Sequence, residues 1–300
     1  MGKSAGKSHK NDTGENASAF LGGKRLRIDL HIHTMESDGA LSVQAIIDLA
    51  LENGVGILAI TDHESTQGVT EAERLSAEAG LTVIPGLELM TYYQEQEVHL
   101  LGYYSAVDHP DLQVRLKELR EQRTALAYDM VKRLQADGIP LTWSAVEREA
   151  SAEGAVSKGH IMRAMYHGKM VASSFGPREM GALFQPGGSA YLPFFEHRFE
   201  DAIDLIYATG GVPVLAHPGI LHNQKIVPNL LRYRPIGLEV YYGYWEQRRA
   251  LIEHYTVLAK EHALFATGGS DFHGPFSPFK IGQLDIPLSG VSTLREYLGV

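Results

Sequence analysis

The chain has 300 residues, 44% apolar and 21% charged, with 10 Phe, 14 Tyr and 2 Trp, enough to fill a sizeable core and to exclude wholesale disorder. Its formal charge of −9, without a long basic run, excludes a surface that grips duplex nucleic acid by charge alone, and a length of this order fits two domains or one elaborated α/β barrel. Cysteine is absent, so any metal must be held by imidazole and carboxylate, and the 14 histidines are the residues to explain.

Residues 1–19, MGKSAGKSHKNDTGENASA, lack the apolar stretch of a signal peptide and read as a flexible tail on a cytoplasmic protein, with His9 a tail residue. No segment approaches the roughly 18 continuous apolar residues of a membrane helix. From Leu26 onward short apolar runs alternate with helical patterns, which predicts βα units and a mostly parallel sheet. Strands are expected near Leu26–His33, Gly56–Asp62, Leu81–Leu87, Glu97–Tyr104, Val212–Ala216, Gly237–Tyr241 and Leu264–Gly268. Helices are expected at Ser42–Glu52, opened by a Ser cap, and at Thr70–Glu78, closed by Gly80.

Between the fourth and fifth strands the pattern changes. Leu112, Leu116, Leu119, Leu126, Met130 and Leu134 recur at helical spacing, which predicts one amphipathic helix over Pro110–Ala136. Shorter helices follow near Ser144–Ala150, Lys158–His167 and Pro177–Phe184. The chain therefore divides into the tail, a barrel built from residues 20–104 and 199–300, and a helical insertion over 105–198. The βα rhythm resumes at Phe199–Thr209 and ends with a helix over Trp245–His262.

The chemistry gathers at strand ends. In RIDLHIHT the two-residue period puts His31 and His33 on one face, about 7 Å apart along the backbone, so both can turn to one ion. Asp38 follows in the loop HTMESDG; His63 ends the second strand, Glu88 the third, and His217 the fifth. Asp271 and His273 end the seventh, and His99 lies within the fourth. Each position alone suits a cap or a core histidine, but parallel α/β folds build their sites at strand carboxyl ends, and a curled sheet would bring all nine to one mouth. Six neutral imidazoles and three carboxylates with two or three divalent ions carry about +1 to +3, which attracts an anionic substrate. Mixed nitrogen and oxygen ligands suit Mn, Fe or Zn. Closely spaced ions can activate a water and hold a phosphoryl oxygen, so no protein nucleophile is required.

The ordered motifs HIHTMESDG (His31–Gly39), TDH (Thr61–His63), PGLE (Pro85–Glu88), VHLLGY (Val98–Tyr103), AHPG (Ala216–Gly219) and GSDFHG (Gly269–Gly274) resemble the PHP (polymerase and histidinol phosphatase) family of metal-dependent phosphoesterases. The resemblance implies a distorted seven-stranded (β/α)7 barrel and a trinuclear site. One metal takes His31, His33, Glu88 and Asp271, the second Asp38, His63 and His273, and the third Glu88, His99 and His217. A hydroxide between metals then attacks phosphorus. Asp38 stands where many family members carry histidine, which makes the second site harder.

The helical insertion is similar to that of the branch acting on nucleoside 3′,5′-bisphosphates or trimming short RNA from its 5′ end. That branch carries an Arg-Pro-His-Ile-Ala-like motif, and this chain has Lys158-Gly159-His160-Ile161-Met162, followed by Arg163. The resemblance thus makes Lys158, His160 and Arg163 candidate phosphate contacts. Tyr241, in EVYYGYW, is a candidate for stacking on a base. The remaining histidines, His109, His167, His197, His222, His254 and His262, are expected in surface or capping roles. The leading expectation is a phosphatase that removes the 3′-phosphate of a nucleoside 3′,5′-bisphosphate. A 5′-to-3′ exoribonuclease on short RNA, a histidinol phosphate phosphatase, an amidohydrolase and a non-catalytic scaffold are the alternatives. Expected partners are a small phosphorylated substrate or short RNA, not duplex DNA or a membrane.

Overall fold

Short apolar segments pair into one seven-stranded sheet in the computed structural model, which describes residues 20–21, 24–170, 176–244, 248–275 and 277–299. The tail, His9 and Trp245 lie outside the described residues. The strands β1 (Arg27–Asp29), β2 (Val55–Ile60), β3 (Thr82–Tyr93), β4 (Gln96–Tyr103), β5 (Val212–Leu215), β6 (Gly237–Tyr242) and β7 (Ala266–Gly269) lie side by side in chain order. The last strand returns to the first: Leu30 N donates to Gly268 O at 3.1 Å and Asp271 N to His31 O at 2.9 Å. The sheet is thus a nearly closed seven-stranded α/β barrel, as expected.

Neighbouring strands run parallel except at β4, which is antiparallel to both β3 and β5. The reversal is made by a two-residue turn in which Gln94 and Glu95 take positive φ of 44° and 65°, the geometry that matches strand twist in a tight hairpin. It also lengthens β3 six residues beyond the expected Leu87, because β4 supplies backbone partners out to Tyr93. Ile28, Leu30, Ile57, Ala59, Leu101, Tyr103, Val214 and Ala216 form one buried cluster, crossed by the Tyr103 hydroxyl donating to Leu30 O at 2.8 Å. Each such Leu or Ile contributes about 1.5–3 kcal/mol through burial. The opposite strand faces, including Leu87, Leu89 and Leu100, pack against helices.

The helices are α1 (Val43–Glu52), α2 (Gln67–Ala79), α3 (Pro110–Ala136), α4 (Trp143–Glu147), α5 (Lys158–His167), α6 (Pro177–Ala182), α7 (Phe199–Ala208), α8 (Val227–Leu230), α9 (Arg248–Glu261) and α10 (Leu288–Leu298). Helices α3 and α5 keep their expected bounds, Ser42 caps α1, and Gly80 closes α2 at φ 69°. The sequence reading had no counterpart for α8 and α10. The first is a single turn, and the second contains Gly, Ser and Thr, weak helix formers, and is held by burying Val291 and Leu294.

Along α3 the buried residues Leu112, Leu116, Leu119, Arg123, Ala127, Met130 and Leu134 form one stripe. Its first half packs on the barrel, while Ala127, Met130 and Leu134 join a separate cluster with Val146, Ile161, Met165, Met180 and Phe184. A buried arginine marks the junction. No helix among the described residues is long and apolar enough to cross a membrane.

Candidate metal centre

Strand β1 delivers His31 and His33 to one side, both fully buried, with ring centroids 5.2 Å apart. Gly269 makes room for His31, since a Cβ there would lie 2.2 Å from His31 Cβ. His31 Nε2 lies 3.1 Å from Glu88 Oε2 and 3.3 Å from Asp271 Oδ1; His33 Nε2 lies 3.2 and 3.1 Å from the same two oxygens. One donor atom from each of these four residues falls within 4.8 Å of the others, a spacing that suits a single ion.

A second group joins Asp38, His63 and His273 with His33. Asp38 Oδ1 lies 3.3 Å from His273 Nε2 and 4.0 Å from His63 Nε2. The loop carrying Asp38 is folded by buried Asp62, which accepts hydrogen bonds from Thr34 N at 2.7 Å, Thr34 Oγ1 at 2.7 Å and Ser37 Oγ at 2.5 Å.

Glu88 is shared. Its Oε1 takes His99 Nδ1 at 2.8 Å and His217 Nε2 at 3.0 Å, while its Oε2 faces His31, His33 and, at 3.5 Å, His63 Nδ1. His99 reaches it because β4 is reversed, which brings the start of that strand, rather than its end, to the mouth; Glu88 pairs with Leu101, so His99 is a diagonal neighbour on the same face. The third compact group is His63, Glu88 and His99, with His217 attached through Glu88. All nine residues singled out by their motifs therefore meet.

Burial opposes charge on His33, but the carboxylates of Asp271 and Glu88 outweigh it and push its pKa up to about 10. His99 rises to about 9 for the same reason, through Glu88 and Glu97. Burial alone would raise the carboxyls of Asp38, Glu88 and Asp271, yet the imidazoles around them hold all three well below the usual range. Protons on His31, His33 and His99 thus hold the place of cations, whereas burial keeps His63 well below its ordinary value. Several donor atoms remain buried without a hydrogen bond: both ring nitrogens of His33, Asp38 Oδ1, His63 Nδ1, His217 Nδ1 and Asp271 Oδ1. Some sit at ion-pair distance but are misaligned for hydrogen bonding. Buried polar atoms are seldom left so, and imidazole with carboxylate is the donor set that divalent ions satisfy. The residues present fit metal ions.

Several supporting residues escaped the sequence reading. Glu239, fully buried, accepts from His31 Nδ1 at 3.0 Å and from His217 N at 2.8 Å, orienting one ring and one backbone turn. Tyr242 donates to Asp271 Oδ2 at 2.8 Å. A register shift between Glu239 and Tyr241 allows both Glu239 and Tyr242 to reach the cluster. Tyr241, the residue nominated for stacking, packs instead against the barrel clusters, beside Thr256 and Asp285. Glu64, His217 and Asp271 hold positive φ of 45°, 26° and 51°, a backbone strain concentrated where the donor groups converge.

Lys158 donates to both oxygens of Glu97 at 2.9 and 2.8 Å, and Glu97 in turn lies 3.0 Å from His99 Nε2. Lys158, Glu97, His99, Tyr191 and His217 line one cavity of about 240 Å³. His160 is fully buried rather than presented to a substrate: its Nδ1 accepts from Ser157 N at 3.0 Å, closing a capping box, and burial lowers its pKa to about 4. Arg163 donates to Asp38 O and, at 3.1 Å, to Glu149 O. Arg123 pairs with buried Glu64, whose backbone oxygen takes Arg120 Nη1 at 2.7 Å. The signal for Arg123 was present, as a charged residue in an apolar stripe. Of the remaining histidines, His109 caps α3 and His167 pairs with Glu149, but His197 is buried, with burial lowering its pKa to about 3.

Comparison with known proteins agrees with this geometry. The family model described as PHP domain matches residues 29–174. The 5'-3' exoribonuclease Rnm of Escherichia coli is 34% identical over 89% of this chain and 93% of its own length. The 3',5'-nucleoside bisphosphate phosphatase of Chromobacterium violaceum is 30% identical over 83% of this chain and 87% of its own. A crystal structure from Bifidobacterium adolescentis, titled as a candidate metal-dependent phosphoesterase, superposes with a TM-score of 0.78 at 26% identity, covering 91% of this chain and 96% of that one. With the barrel, the convergent imidazoles and carboxylates and these likenesses together, the chain belongs to the PHP domain family and is a metal-dependent phosphoesterase.

Proposed function

We propose that the enzyme hydrolyses the 3′-phosphate ester of a nucleoside that also carries a 5′-phosphate, with nucleoside 3′,5′-bisphosphates as its substrate. In this reading His31, His33, Glu88 and Asp271 hold one ion, Asp38, His63 and His273 a second, and His99 and His217 a third, with Glu88 common to the first and third. Bound Mn, Fe or Zn would supply an acidified water and polarise the phosphoryl oxygens. Glu239 and Tyr242 keep His31 and Asp271 oriented. Lys158 is the phosphate contact, exchanging Glu97 for substrate, and Lys158, Phe184 and Tyr191 of the helical insertion form the wall of the pocket.

The observation that carries the choice of a small substrate is the state of the nearby cations. Lys158 is held by Glu97, Arg163 by Asp38 O and Glu149, and Arg123 by Glu64. A compact bisphosphate can displace one such pair, whereas a long strand needs a row of open cations. The cavity of about 240 Å³ that adjoins His99 and His217 matches a single nucleotide better than a strand. A second reading, trimming of short RNA from the 5′ end, is favoured by the 34% identity to the Escherichia coli exoribonuclease. Both reactions break an ester at the 3′-oxygen of a 5′-phosphorylated nucleoside.

Adenosine 3′,5′-bisphosphate and a short 5′-phosphorylated RNA, incubated separately with the Mn-loaded enzyme, test the choice. The bisphosphate is expected to release phosphate and leave AMP. Mononucleotide release from RNA with the bisphosphate untouched overturns the assignment in favour of the second reading.

A further inference from the structure

Helix α5 approaches the cluster more closely than a wall of the pocket needs to. Ser157, at its N-cap and buried, donates through Oγ to Asp38 Oδ2 at 2.9 Å while also accepting from Gly159 N at 3.1 Å. Gly159 lies directly against the same carboxylate: a Cβ built there would fall 2.9 Å from Asp38 Oδ2 and 3.1 Å from Asp38 Cβ. One turn further on, Arg163 donates to Asp38 O. Asp38 is therefore gripped at its outer carboxylate oxygen and its backbone carbonyl, both from α5. Its other oxygen, Oδ1, is buried without a hydrogen bond and points toward His63 and His273.

We propose that Ser157 and Gly159 are positioning residues for Asp38, fixing it as a one-oxygen ligand of the ion it shares with His63 and His273. Resting on the metal reading of the cluster, the inference makes the helical insertion a determinant of how tightly one of the ions is held. A serine hydroxyl donating to one carboxylate oxygen leaves the other as the sole ligand atom and fixes its direction, as partners behind a ligand do elsewhere. Glycine at 159 makes this possible, because any larger residue would drive the helix or the carboxylate away.

The test titrates Mn²⁺ into the full-length, metal-stripped protein by calorimetry, with bound Mn counted after dialysis. Asp38→Ala identifies the class of site to which Asp38 belongs, by abolishing it. Ser157→Gly removes the hydroxyl while keeping an acceptable N-cap residue, and Gly159→Ala favours the helix while wedging against Asp38. Both variants are expected to weaken that class alone by about 10- to 100-fold, leaving the other ions at wild-type affinity. Wild-type affinity of that class in both variants overturns the inference, as does a uniform fall across all classes, which a merely structural cap would produce. Failure of the metal reading looks different: the wild type takes up no Mn²⁺, or Asp38→Ala loses none.

Discussion

The two halves of the cluster are held in place by different means. His31, His33, Glu88 and His99 lie on or directly after barrel strands, positioned by backbone ladders and by Gly269. Asp38 lies on a loop held by side chains, Asp62 from the barrel and Ser157 and Arg163 from the insertion, while His63, itself bridged to Glu88 through the backbone, is followed by Glu64, which Arg120 and Arg123 of the insertion bind. The barrel half is set by pairing that any sequence of this fold would share. The loop half is set by particular side chains, Asp62, Ser157 and Arg163 around Asp38.

Glu88→Gln tests the point shared by both halves. Removing the charge common to five imidazoles is expected to strip ions from both and to lower turnover by more than about 100-fold, the upper range for a partner merely behind a ligand. Metal content and phosphate release measured together would show this; retention of all ions would break the picture of a shared carboxylate. Arg123→Met strikes only the braced half. It leaves Glu64 buried and unpaired, a loss of about 3–5 kcal/mol in urea unfolding, which Glu64→Gln in the same chain should partly recover.

The pH dependence separates protons from metal. In the metal-free protein His33 and His99 stand at about 10 and about 9, against an ordinary value of 6.5. Their stabilisation is therefore complete below about pH 6.5 and lost as pH rises through 9 to 10, while that of the depressed carboxylates Asp38, Glu88 and Asp271 holds above about pH 4 and fades on acidification. Metal must displace the histidine protons, so Mn²⁺ affinity should rise between about pH 6.5 and 9 as the Tm of the metal-free protein falls. A flat affinity across that range would contradict it. The smallest effects distinguish neighbours: Tyr242→Phe should cost about 10-fold in metal affinity, the lower end for such partners, whereas Tyr241→Phe should leave it unchanged.

Much of the barrel was legible because each strand carries its own apolar run and each motif its own strand end. His31 and His33 share a face by the period of a strand, whatever else the chain does. Glu239 was not legible, because a buried glutamate on a strand has no local mark until His31 and the turn at His217 are brought to it. Tyr242 had no mark within EVYYGYW to set it apart from the other aromatics there, because the irregular pairing of β6 with β7 that lets it reach Asp271 is not written in the local sequence. His160 looked like a substrate contact by motif and proved to be part of a cap, since only the docking of α5 reveals which way that ring faces.

By itself, then, the sequence determined which segments become strands and long helices and which residue types stand at their ends, because those follow from contacts between near neighbours along the chain. Tertiary structure alone decided that β4 runs backward and so brings the start of that strand to the mouth, that Glu239 reaches both His31 and the turn at His217, and that α5 closes on Asp38. Those outcomes depend on groups far apart in sequence meeting at distances near 3 Å, and such meetings are settled by the packing of the whole barrel.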